Sequence, residues 1–133
     1  MAPHEQNNTR LGISKISGIG VFAIKPIKAK EAIFPGESMF EDDLVGVPKT
    51  VAEKLPAEQK KMYKDFCVLE DGKYWAPPSL DGLTIAWYLN HSRTPNAEAD
   101  SGWTFRAARD IKPGEEITVD YRTYCHDESE DWL

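Results

Sequence analysis

Leu83-Thr84-Ile85-Ala86-Trp87-Tyr88-Leu89-Asn90-His91-Ser92-Arg93-Thr94-Pro95-Asn96 turns from apolar to polar without a break. Ile85, Tyr88 and Leu89 fall on one side of one or two helical turns. The polar half has no periodicity, so Asn90-His91-Ser92 is predicted at the edge of the core. Asn offers two donors and an acceptor, and neutral His one of each. Such a pair suits the edge of a bound purine. It suits equally the buried backbone groups of an irregular loop.

Outward toward the C-terminus, Trp103 to Ala107 reads as a strand. Lys112-Pro113-Gly114-Glu115 has the residues of a type II turn, with Pro at the second position and Gly at the third. Glu116 to Val119 is a further strand, and Tyr121 stands at its end, where a scaffold presents side chains to a cleft. Toward the N-terminus, Val21 to Ile24 is a buried strand, closed by Lys25-Pro26. Leu11 to Ile16 alternates imperfectly before it. Between them lies Gly18-Ile19-Gly20, whose glycines allow a turn or a close approach of backbone to a ligand. Glu31 to Phe34 and Ser38 to Phe40 are short strand candidates split by Pro35-Gly36.

A helical insert occupies about 48–66. Thr50-Val51-Ala52-Glu53 has capping-box spacing, and Pro56 ends that helix or opens the next. Met62, Tyr63 and Phe66 give Ala57 to Phe66 an apolar face. Asp71-Gly72 is a hairpin turn between Cys67–Leu69 and Tyr74–Trp75. The pattern predicts a mostly β domain of short strands with a small helical insert.

The 133 residues are one domain's worth. Hydrophobic residues at 41% and charged residues at 29% are ordinary globular composition. No apolar run nears a membrane span of about 20 residues, and the polar start has no signal-peptide core. An intracellular, cytoplasmic setting with reduced Cys67 and Cys125 follows as an expectation. The net charge of −6 is a poor footprint for nucleic acid. It suits a basic, lysine-containing protein partner, or serves solubility alone. Two Cys and three His, with only Cys125 and His126 adjacent, make no structural zinc site, so no metal is expected. A hydrolase built from Ser92, His91 and Asp120 lacks a nucleophile-elbow sequence. A glycosidase pair at Glu115 and Glu116 would point to opposite faces of one strand.

Taken in order, three segments resemble the SET-domain family of protein lysine methyltransferases. Gly18-Ile19-Gly20-Val21-Phe22-Ala23 is similar to the family's opening glycine element. Tyr88-Leu89-Asn90-His91-Ser92 with Pro95-Asn96 is similar to its central signature. Ile111 to Tyr121, ending Gly114-Glu115-Glu116-Ile117-Thr118-Val119-Asp120-Tyr121, is similar to its closing motif. The resemblance covers residues 11–124, between a flexible tail at 1–10 and an acidic tail at 125–133.

The resemblance implies a β-clip-like fold of several short curved sheets around a C-terminal pseudoknot, with 48–66 as the variable insert. It implies S-adenosylmethionine as cofactor, S-adenosylhomocysteine as product, and transfer of methyl to a lysine amine. Gly18, Ile19, Gly20, Asn90 and His91 would hold the cofactor, and Tyr121 would be the catalytic residue. Phe66, Tyr88, Trp103 and Tyr124 are candidate walls of the lysine channel, with plain core packing as the alternative for each. The chain resembles the compact members that lack zinc-binding flanking clusters, so its C-terminal segment would close the site, with Trp132 folding over the cofactor or channel. Trp87 stands where many members have Arg. A small core of this kind could also dimerise to complete its groove. The competing reading is a catalytically silent SET-fold module that binds a basic peptide or protein.

Overall fold

The computed structural model describes residues 5–35, 44–100 and 104–123. Among these described residues, three small sheets carry the fold. The first contains β1 (Thr9–Ile13), β2 (Ile19–Ala23), β9 (Glu116–Val119) and β6 (Asn90–His91), in the order β1-β2-β9-β6. The second contains β3 (Val45–Pro48), β5 (Lys73–Ala76) and β4 (Val68–Glu70), in the order β3-β5-β4. The third pairs β7 (Ala97–Ala99) with β8 (Phe105–Ala107).

β9 explains why the first sheet forms where it does. Ile117, Thr118 and Val119 are all buried, as expected of a central strand covered on both faces. It pairs antiparallel with β2 and parallel with β6, matching Asn90 to Thr118 and His91 to Val119. The Ser92 N–H continues that ladder by donating to Val119 C=O at 2.9 Å. The turn that feeds β9 is the one the sequence predicts. Gly114 has φ +88° and the Glu115 N–H returns to Lys112 C=O. Around β9 lies the main core, with Val21, Ile27, Ile33, Ile111, Ile117 and Val119 each at most 1% exposed. Each such burial stabilises the fold by about 1.5–3 kcal/mol.

A second cluster of Ala52, Cys67, Leu69, Tyr74 and Ala76 lies under the helical insert. α1 (Lys49–Ala52) is a single turn, and α2 (Ala57–Phe66) follows Pro56. The predicted capping box is absent. Pro48 occupies the cap position, no side chain caps the helix, and Thr50 lies within it. The proline fixes φ at −55°, so the chain enters the helix directly from β3. α2 buries no residue completely. Its apolar face is half-covered through Tyr63, whose ring centroid lies 5.6 Å from that of Tyr74. The Asp71-Gly72 hairpin is present, with φ +55° and +73°, the signs a two-residue type I′ turn requires.

Other boundaries shift. β1 begins at Thr9, ahead of the alternation, and Thr9 is 1% exposed. Glu31 to Phe34 contributes only a bridge from Ala32 to Arg106, while Ser38 to Phe40 lies outside the described residues. Leu83 to Leu89 holds a 3-10 turn, Ile85–Tyr88, that buries Ala86 and Trp87; Leu89 is buried as well, and Ile85 and Tyr88 pack half-buried against the core.

Candidate active site

A cleft of about 570 Å³ opens where the three sequence segments and α2 meet. Gly18 and Ile19 line one part, Tyr88 to His91 another, and Tyr121 and Phe66 the rest. Seven of the sequence-predicted site residues therefore share one cavity. Gly20 is buried and is not among the lining residues. Trp103, Tyr124 and Trp132 lie outside the described residues.

Tyr121 is gripped at both ends by the 89–91 segment. Its backbone N–H donates to His91 Nδ1 at 3.0 Å. Its hydroxyl donates to the Leu89 carbonyl oxygen. The hydroxyl proton is thus directed at Leu89, and the oxygen's lone pairs are what the group offers to a ligand. The rings of His91 and Tyr121 lie 5.2 Å apart.

The N–H bond from Tyr121 also fixes the state of His91. A nitrogen that accepts cannot carry a proton, so the neutral ring holds its hydrogen on Nε2. Burial pushes the imidazole pKa below its ordinary value, Asp120 opposes this, and Arg122 and Arg93 push it lower. Asp120 Oδ1 is 3.8 Å from Nδ1. Its own carboxyl is held down to about 2, chiefly by hydrogen bonding from the Arg122 guanidinium. That contact is two-pronged, Nε to Oδ1 at 2.9 Å and an NH2 group to Oδ2 at 2.6 Å.

Asn90 is not available in the way its sequence position suggests. Its amide nitrogen lies 3.1 Å from Ser14 Oγ, 3.1 Å from Ser17 O, 3.4 Å from Ile19 O and 2.9 Å from Glu116 Oε2. The amide donors therefore hold the 14–19 loop, and Oδ1 is the polar atom left for a ligand. Phe66 and Tyr88 form a tilted aromatic pair with centroids 5.1 Å apart. α2 also brings Lys61, Lys64 and Asp65 to the cleft. Lys61 pairs with Asp65 at 2.5 Å, and hydrogen bonding to that carboxylate raises its pKa.

Sequence reasoning missed Ser14, Glu116 and Asn96. Asn96 is 4% exposed and straddles β9. Its Nδ2 donates to Glu116 C=O, and its Oδ1 accepts from the Thr118 N–H, both at 2.9 Å. The available signal was an asparagine following a proline just before an apolar strand. Glu116 was legible as a member of the closing motif and as an acid at the start of a core strand, but its partners were not. Among the described residues no group of His, Cys, Asp or Glu could hold a metal, and no helix is long and apolar enough to cross a membrane.

The SET domain family model matches residues 18–122, and the chain belongs to that family. A solved structure with the same fold is that of a proposed histone methyltransferase of Plasmodium falciparum. It has 23% identity and a TM-score of 0.59, over 94% of this chain and 99% of that one.

Proposed function

We propose that this protein transfers methyl from S-adenosylmethionine to the side-chain amine of a protein lysine, leaving S-adenosylhomocysteine. The observation that carries the reading is Tyr121, whose hydroxyl proton is committed to Leu89 in the wall of a cleft built from all three family segments. Family membership supports a methyltransferase in general, and the cleft supports this one.

The residues fit such a cofactor. The volume lies within the range of small-molecule sites. Gly18, at φ +48°, has no atom within 4 Å of where a Cβ would stand, so backbone borders the cleft without obstruction. Ile19, Leu89 and the Phe66–Tyr88 pair supply apolar and aromatic wall, while Ser17, Asn90 and His91 supply polar groups. Gly18, Ile19, Asn90 and His91 would hold the cofactor. When bound, S-adenosylmethionine supplies an electrophilic methyl group on a sulfonium.

The chain's own residues prepare the amine. A free lysine has a pKa near 10.4, and its ammonium must give a proton to solvent before the nitrogen lone pair can attack. Desolvation against Phe66 and Tyr88 favours the neutral form. The Tyr121 oxygen then accepts an N–H from that amine and turns its lone pair toward the electrophile. Orientation of two bound reactants contributes several kcal/mol. A basic, lysine-containing protein is the substrate class. An intracellular setting, and a homodimer that completes the groove, belong to the same proposal.

The test is calorimetric titration with S-adenosylmethionine, followed by transfer of labelled methyl to histones and other lysine-rich proteins. Tyr121→Phe should bind cofactor normally and lose about 100-fold in rate, about 2.7 kcal/mol. Full activity in Tyr121→Phe would end the role given to the hydroxyl. No cofactor binding by the native chain would favour the silent module instead.

A further inference from the structure

The second glycine of Gly18-Ile19-Gly20 has no conformational need to be glycine. Gly20 lies within β2, and its φ falls outside the left-handed region. A Cβ there would stand 2.4 Å from Glu116 Oε2, 2.9 Å from Glu116 Cδ and 3.1 Å from Asn90 Nδ2. The space a side chain would need is filled by a carboxylate. That carboxylate accepts the Ser14 hydroxyl at 2.7 and 2.9 Å and the Asn90 amide at 2.9 Å.

Ser14 turns this network toward the cleft. Its Oγ also accepts the N–H groups of Ile16, at 2.9 Å, and Ser17, at 3.3 Å. Its own N–H closes the loop onto Gly18 C=O at 2.9 Å. Asn90 adds the carbonyls of Ser17 and Ile19. Every one of these bonds ends on the loop that supplies Ile16 to Ile19 to the cleft wall. The carboxylate makes its bonds to Asn90 and Ser14 charge-assisted, about twice as strong as neutral ones.

We propose that Ser14, Glu116 and Asn90 form a closed polar clamp that sets the shape of this wall, and that Gly20 is glycine to admit the Glu116 carboxylate. Ser14 and Glu116 are positioning residues: they act on a ligand only through the 14–19 loop. That the ligand is S-adenosylmethionine rests on the function proposed above; the clamp itself does not.

The experiment is a double-mutant cycle of Gly20→Ala and Glu116→Ala, read by amide exchange at Ile16 and Ser17 and by S-adenosylmethionine titration. Gly20→Ala alone should speed exchange at both amides and weaken binding by about tenfold, the effect of one lost charge-assisted bond. In the Glu116→Ala background the added Ala should do nothing further. Additive effects would overturn the proposal. So would a binding loss in Gly20→Ala with loop exchange unchanged, because the ligand itself would then need the glycine. Ser14→Ala provides a second route in the exposed loop. It should speed exchange at Ile16 and Ser17 without changing exchange in β9, and Ser14→Thr, which keeps the Oγ, should restore protection. Equal speeding in the loop and in β9 would reduce Ser14 to general stability and refute its positioning role. If the native chain does not bind the cofactor while the exchange cycle is non-additive, the clamp stands and the proposed function fails.

Discussion

Replacing Asn96 by alanine removes two hydrogen bonds from one buried strand. The carbonyl of Glu116 loses its donor, and the N–H of Thr118 loses its acceptor. Thr118 is 8% exposed and Asn96 4%, so water does not reach the Thr118 N–H without local opening, while Glu116 is half-buried. A buried polar group left unsatisfied costs about 1–3 kcal/mol. The pair therefore predicts a loss of about 3 kcal/mol, against a total of about 5–15 kcal/mol for an ordinary domain. At about 4 °C per kcal/mol for a chain of this size, the midpoint should fall by about 12 °C. Urea denaturation followed by tryptophan fluorescence would measure it, with Asn7→Ala as control. Asn7 is exposed and bonds only to the nearby Thr9 carbonyl, at 2.9 Å. The control should change stability by less than about 0.5 kcal/mol. A loss below about 1 kcal/mol in Asn96→Ala at unchanged m-value would refute the role given to the two Asn96 bonds in holding β9.

Further outcomes concern His91 and Trp87. His91 has its pKa lowered in the fold, so the unfolded chain binds the extra proton first as pH falls. The stability it contributes is complete above the ordinary histidine value of about 6.5 and is lost as pH drops from there toward the folded value. Melting temperatures between pH 8 and pH 5 should fall on the acid side, and His91→Gln should flatten that slope; an unchanged slope would remove His91 as its cause. Trp87 is 5% exposed within the main core. Trp87→Ala should lose about 3–5 kcal/mol in a denaturant melt. Trp87→Arg should cost at least as much, because a charge would be buried there. A stable Trp87→Arg would mean that the core can open at this position.

Short-range chemistry was readable from the chain. Asp71-Gly72 and Pro113-Gly114 specify their turns through φ preferences that no distant contact alters. β9 was legible because three consecutive residues, Ile117, Thr118 and Val119, combine β-propensity with burial. The seven cleft residues carried a recognisable order. The predicted cap at Thr50 failed because Pro48 already fixed the entry angle, which competes with a side-chain cap over a helix of one turn. The apolar side of Leu83 to Leu89 was legible in part: Leu89 is buried and Ile85 and Tyr88 pack against the core, while the 3-10 turn also buries Ala86 and Trp87.

What the sequence determined by itself was the class of fold, the family and the set of residues that gather at the cleft. Turns, strand patterning and motif order are local properties, and they survive any error in packing. Only the tertiary structure decided how those residues divide their work. Asn90 could bond a ligand or the protein, and four acceptors, three on the 14–19 loop and one on β9, turned its amide inward. Tyr121 could donate or accept, and the Leu89 carbonyl took its proton. Gly20 could serve backbone conformation or space, and a carboxylate almost a hundred residues away filled the space. A hydrogen bond depends on where its partner stands, and partners distant in sequence meet only when the chain is folded.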